Sequence, residues 1–124
     1  MKAPIYQIFY ATPETFRNCF DSAEFADAIN LKDLTATHRP VASIQTDWSC
    51  DYRTDLSTIF NQMQGEIWSP HGEARYVILT AGLSHTSMSV GDVVVTEWGG
   101  VYLVKEVGFA YLGLRSGHKW SELH

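Results

Sequence analysis

Hydrophobic and polar positions switch between two periods along this chain, and the switches mark its elements. In PIYQIFYA, Ile5, Ile8 and Phe9 fall among Tyr6 and Tyr10, which predicts a buried or half-buried strand. ATPE ends it: Thr12 suits a helix cap, Pro13 the first helical position, and Glu14 the positive helix end. Phe16, Cys19 and Phe20 are expected to share one face of the helix that follows. Asp21 or Ser22 caps a second short helix with Phe25, Ala26 and Ile29 on its apolar side. PVASIQTDW alternates as a strand does. TDLSTIFNQMQG is the strongest helix, with Leu56, Ile59, Phe60 and Met63 in one apolar stripe that belongs to a core, and Gly65 reads as its stop. Ser69-Pro70-His71-Gly72 is turn chemistry, and Arg75 to Thr80 reads as a strand. Asp92 to Trp98 is β-rich, Gly99-Gly100 permits a tight hairpin, and Val101 to Val107 returns. Phe109 to Leu112 is expected to continue that strand after a kink at Gly108.

These elements predict a single α+β domain over 1–124. It holds a curved, mostly antiparallel sheet, two or three short helices, a C-terminal β-hairpin, and a polar tail from about 115 to 124. With 124 residues, 45% of them hydrophobic, the chain can build one core without staples. The 4 Trp, 6 Tyr and 6 Phe exceed what so small a domain buries, so some aromatics are expected at the surface as interface anchors.

Charge changes the picture modestly. The net charge of −5 argues against a binder of the phosphate backbone. Asp21, Glu24, Asp27 and Asp33 cluster, followed by Asp47, Asp51 and Asp55; a solvated face explains them, and a surface that meets a basic partner is the sharper reading. The opening residues lack a long apolar run, and no stretch approaches the ~18 apolar residues that span a bilayer. A reduced, cytoplasmic protein in which Cys19 and Cys50 stay unpaired is therefore expected.

Candidate chemistry is sparse. His38, Cys50, His71, His85, His118 and His124 form no short metal-ligand spacing. Cys19 lies on an apolar helix face, and Cys50 sits between aspartates, which raise a thiol's pKa. His85 lies near Ser84, Ser87 and Ser89, but these serines read as turn or capping residues. No GxSxG elbow or glycine-rich phosphate loop is present, and Glu66 and Glu73 have no partner motif. No catalytic, cofactor or metal residues are assigned. Trp48, Trp68, Trp98 and Trp120 fall beside turns, where a tryptophan either plugs a core end or anchors an interface. The expected partner-binding set is Trp98, Glu97, Asp47, Trp48 and Asp51, centred on the hairpin tip.

The stretch SMSVGDVVVTEWGGVYLVKEVGF resembles the YodL-like domain found on plasmids, integrated elements and phages. Ser87, Ser89, Val90, Asp92 and Val93 match its first part, and Tyr102, Val104, Gly108 and Phe109 its second. Gly91 stands where a serine is common, and Lys105-Glu106 where an Asp-Ser pair is common. Upstream, Asp55, Leu56, Phe60 and Asn61 echo a helix of related mobile-element proteins. The resemblance implies a mobile-DNA setting and brings no activity with it. Ser89 and Asp92 also have a structural reading, in which they satisfy backbone amides at a strand start.

The expected function is that of a non-enzymatic accessory protein that binds a host protein or nucleoprotein complex. An inhibitor of a defence system, anti-CRISPR or anti-restriction, is the favoured form. No direct nucleic acid, membrane or small-molecule ligand is expected. The alternatives are a nucleic-acid-binding or regulatory module, marked by a basic groove, and an enzyme with dispersed residues, marked by a pocket holding His85 or His71 beside a carboxylate.

Overall fold

The structure, a computed structural model, describes residues 5–45 and 52–115. In chain order it contains β1 (Ile5–Ala11), α1 (Pro13–Asn18), α2 (Ser22–Ala28), a single 3-10 turn (Leu34–Ala36) and β2 (His38–Gln45). There follow α3 (Tyr52–Gln62), α4 (Gly65–Trp68), α5 (Arg75–Thr80), β3 (Val93–Thr96), β4 (Gly100–Val104) and β5 (Phe109–Leu114). The five strands form one open sheet in the order β2-β1-β3-β4-β5, and every neighbouring pair is antiparallel. A single α+β domain with an antiparallel sheet is thus what the described residues build. Five short helices stand where two or three were expected.

Strand alternation sends side chains to two separate cores. Tyr6, Ile8, Tyr10, Val94, Tyr102 and Val104 pack under α3 with Leu56, Ile59 and Met63, and with Ile78 of α5. Phe9, Ala11, Val93, Val95, Val101 and Leu103 pack on the opposite face with Cys19, Phe25 and Leu34. Both faces of the central strands are covered, so Val93, Val94 and Val95 form a continuous buried run where a one-sided sheet would alternate. Tyr6 also ties the layers together: its hydroxyl donates to the buried Asp55 carboxylate of α3 at 2.5 Å.

Capping reads true at the N-terminal helices. Thr12 Oγ1 accepts from Thr15 N–H with Pro13 at the helix start, and Asp21 accepts from Glu24 N–H. Glu24 returns a bond from Phe20 N–H at 2.8 Å, so two of the clustered acidic residues serve as caps.

Four local expectations are corrected. Helix α1 stops at Asn18 and Cys19 is extended, so Phe20 does not share the face of Phe16 and Cys19 but lies 89% exposed. Gly65 does not stop α3, which ends at Gln62; it opens α4 and donates to Ser87 Oγ. Arg75–Thr80 is helix α5, not a strand. Its β-branched and aromatic content favours a strand, but Ala74 and Ile78 are buried one helical turn apart while Tyr76 and Leu79 face out. The helix closes with bonds from Leu83 N–H to Ile78 O and from Gly82 N–H to Leu79 O, a double C-terminal lock that no strand accommodates. Finally, Gly108 does not kink a continuing strand. Residues 105–108 reverse the chain, with Lys105 N–H bonded to Gly108 O, and β5 runs back along β4 as a second hairpin.

Candidate functional site

Two places on the domain concentrate functional chemistry: a buried polar centre at one end of the sheet, and an exposed aromatic face at the other.

The polar centre forms where β1 ends and β3 begins. Asp92 is fully buried and its carboxylate collects three donors, one from β1 and two from the loop before β3. Oδ1 accepts from Ala11 N–H at 2.8 Å, Oδ2 accepts from Ser89 N–H at 2.8 Å, and His85 Nε2 reaches both oxygens at 3.1 and 2.8 Å. Burial pushes this carboxyl upward, and the His85 and amide hydrogen bonds pull it back. The His85 ring stacks on Tyr10 at 4.5 Å and meets Phe16 edge-on at 4.6 Å. Its Nδ1 is sealed from solvent without a hydrogen-bond partner. Tyr10 in turn donates to Thr86 O at 2.7 Å, which fixes the loop that carries His85. Two of the three serines near His85 act as the turn reading expected: Ser87 Oγ accepts from Gly65 N–H, and Ser89 Oγ donates to Ser87 O. Sequence reasoning read Asp92 correctly as a receiver of backbone amides but missed its pairing with His85, because the loop between them carries no periodic signal.

His38 lies beside this centre and is also fully buried. Its Nε2–H donates to Gly91 O at 2.7 Å, and Nδ1 accepts from the Thr37 hydroxyl at 2.7 Å. Burial, with His85 and Arg39 nearby, outweighs the Gly91 bond and pushes its pKa down to about 4. An unfolded histidine gains a proton as pH falls through 6.5, whereas folded His38 stays neutral until about 4. Its contribution is therefore fully present above pH 6.5 and is lost as pH falls to about 4, amounting to about 3 kcal/mol. Asp92, whose pKa is raised, has the opposite sign, so the test is a difference. The stability gap between wild type and His38→Gln, from urea midpoints, is expected to shrink across that window. A gap independent of pH would remove His38 from this role.

The second place is the turn between β3 and β4. Trp98 is 53% exposed there, and Gly99 N–H closes the turn on Thr96 O. A side chain at Gly100 would stand 3.1 Å from Trp98 Nε1 and 3.3 Å from Tyr111, so these two aromatics flank one spot on the sheet. Tyr111 stacks at a tilt on Tyr102, 5.1 Å between centroids, and Leu114 pairs with Gly100 across the ladder. Trp98, Tyr111 and Leu114 are each more than half exposed. This face continues into adjoining clefts of about 410 and 350 Å³ between α3 and β5, which share Ser57, Gly108 and Phe109 and carry Arg53 and Lys105.

The expected partner-binding residues are placed unequally. Trp98 is exposed on the turn between β3 and β4, where the sequence placed it beside a hairpin tip. Glu97 is half-buried, and its carboxylate accepts Ile5 N–H at 3.0 Å, which binds the tip to the start of β1. Asp47, Trp48 and Asp51 lie outside the described residues. Of the other tryptophans, Trp68 plugs a core end: its Nε1 donates to Thr86 O and its ring meets Tyr10 edge-on. Tyr111 and Leu114 were missed because β5 reads as a continuation of β4, which conceals which of its side chains face out. Cys19 is a buried free thiol pushed upward by burial and by Glu24 and Asp21. Among the described residues, no three His, Cys, Asp or Glu converge as a metal site, and no helix is long and apolar enough to cross a membrane.

No family model, curated protein or solved structure matches this chain.

Proposed function

We propose that the chain is a small non-enzymatic accessory protein of a phage or plasmid that binds a host macromolecular complex and inhibits a defence system, of the anti-CRISPR or anti-restriction kind. The observation that carries the binding reading is the exposed run from Trp98 to Tyr111 and Leu114, on a sheet whose other large side chains are mostly packed away. Trp98 on a closed tight turn and Tyr111 on a strand bring large contact area at low entropic cost. The mobile-element setting rests on the resemblance of Ser87–Phe109, whose residues Ser89 and Asp92 bond each other before β3 and whose Tyr102 packs against Tyr111. The test is a pull-down from host lysate with wild type and Trp98→Ala, with captured proteins identified by mass spectrometry. A nuclease or effector complex captured by wild type, at least tenfold depleted with the variant, is expected. No capture by folded wild type removes the reading, and equal capture by both removes Trp98 as the anchor.

One observation favours the nucleic-acid alternative. Arg53 and Lys105 line the groove between α3 and β5 beside Phe109 and Tyr111, an arrangement that suits a single strand with stacked bases. Fluorescence anisotropy with a labelled single-stranded oligonucleotide separates the two. Salt-sensitive binding lost in Arg53→Ala would assign the groove to nucleic acid in place of a protein partner.

A further inference from the structure

One face of helix α5 belongs neither to the buried polar centre nor to the Trp98 surface. Arg75, Ile78 and Leu79 stand at i, i+3 and i+4 of this helix, so they lie side by side. In a strand, Arg75 and Ile78 would point to opposite sides. The three line a cleft of about 430 Å³, and its lining continues through Leu83, Ser84 and Thr86 of the following loop. Ile78 and Leu83 are buried and give the cleft an apolar floor, while Leu79, 63% exposed, stands at its edge. The frame is preformed: Leu83 N–H bonds Ile78 O, Ala74 N–H bonds Ser69 Oγ, and Thr86 O accepts from both Tyr10 and Trp68. Among the described residues, Arg75 is the one charged residue that lines the cleft, and its guanidinium has no ion pair. Glu73, its near neighbour in sequence, accepts instead from His71 N–H at 2.7 Å. A single uncompensated cation beside an apolar floor fits an anion that carries an apolar body.

We propose that this cleft binds a small monocarboxylate with an apolar tail. The carboxylate takes the fork of N–H groups on Arg75, and the tail lies over Ile78, Leu79 and Leu83. Size and charge select this occupant. The volume falls in the roughly 300–1,000 Å³ range of small-molecule sites. One cation matches one negative charge, whereas a nucleic-acid strand needs several, and the chain's net charge of −5 repels a polyanion. An uncharged apolar molecule gains nothing from Arg75, and a small anion without a tail gains nothing from the floor. The Ser84 hydroxyl is a further donor in the same lining. The cleft shares no residue with the Trp98, Tyr111 and Leu114 face or with the groove of Arg53 and Lys105, so the proposal goes beyond the binding reading and does not depend on it.

The test is a titration of the full chain with millimolar octanoate, read from backbone amide NMR shifts. A saturable shift of the Arg75, Leu79, Ser84 and Thr86 amides is expected. Octan-1-ol, which keeps the tail, and acetate, which keeps the head, should each bind about tenfold more weakly than octanoate. Arg75→Gln, at an exposed position, should weaken octanoate about tenfold and leave octan-1-ol unchanged. Leu79→Ser, also exposed, should weaken both, and unchanged amide spectra away from the cleft show that each variant is folded. No saturable shift, or a shift centred outside the cleft, overturns the proposal. So does octan-1-ol binding as tightly as octanoate, or equal octanoate binding by wild type and Arg75→Gln.

Discussion

Asp92→Ala is expected to remove about 4 kcal/mol of stability, a large share of the roughly 5–15 kcal/mol that a folded domain possesses. The carboxylate is fully buried, and it is the acceptor for two backbone amides, Ala11 and Ser89, and for His85. Alanine leaves those donors buried without partners, and each unsatisfied group costs about 1–3 kcal/mol. His85 would then lose the bond at Nε2 while its Nδ1 already has none. Asp92→Asn keeps the volume and one acceptor oxygen and is expected to lose about half as much. A double-mutant cycle with His85→Phe isolates the pair: the combined loss should fall short of the sum, because Phe fits between Tyr10 and Phe16 once the charge has gone. Urea midpoints read all three. A midpoint for Asp92→Ala within 0.5 kcal/mol of wild type, on the usual margin for surface changes of about that size, would show that the centre does not hold the sheet end together.

Gly91→Ala is expected to cost about 3 kcal/mol, through two terms that can be separated. The residue has φ +99°, and a Cβ there would stand 2.5 Å from the Phe25 ring. Neither side can yield easily. Phe25 is buried against Phe16 in the core under α2, and the Gly91 backbone is fixed by its N–H to Val104 O and by its carbonyl to His38. Gly108→Ala is the control. Its φ is +74°, but nothing lies within 4 Å of the added carbon, so it reports backbone strain alone, about 1 kcal/mol. The larger loss at Gly91 should therefore come with disturbed near-ultraviolet aromatic signals, and the Gly108 variant should keep them. Equal losses at the two positions would mean that Phe25 moves aside freely. A serine at this position would meet the same ring, so the glycine here is bound up with the placement of Phe25.

Part of the buried centre was legible and part was not. Ser89 and Asp92 follow a local rule in which a short polar side chain captures an amide two or three residues away, and the structure keeps to it. The His85 contact depends on where the loop before β3 crosses the end of β1, and no local rule contains that. The same division appears at the exposed face. Trp98 beside Gly99 signals a turn with an aromatic tip, whereas Tyr111 and Leu114 become exposed because β5 doubles back and ends the sheet. Helix α5 shows the conflict most directly. Residue type in Arg75–Thr80 favours a strand, but a strand there would have to bury alternate residues, and the core has room for one helical face with Ile78.

The caps at Thr12 and Asp21, the stripe of Leu56, Ile59 and Met63, and the strands around Ile8, Val94 and Leu103 were determined by the sequence alone. Each rests on hydrogen bonds or periodicity within a few neighbouring residues. Only the tertiary structure decided that both faces of the sheet are covered, that Asp92 gathers Ala11, Ser89 and His85, and that β5 doubles back along β4 as the last strand of the sheet among the described residues. Those features arise from burial and from pairing between distant segments, whose free energy depends on which surfaces meet.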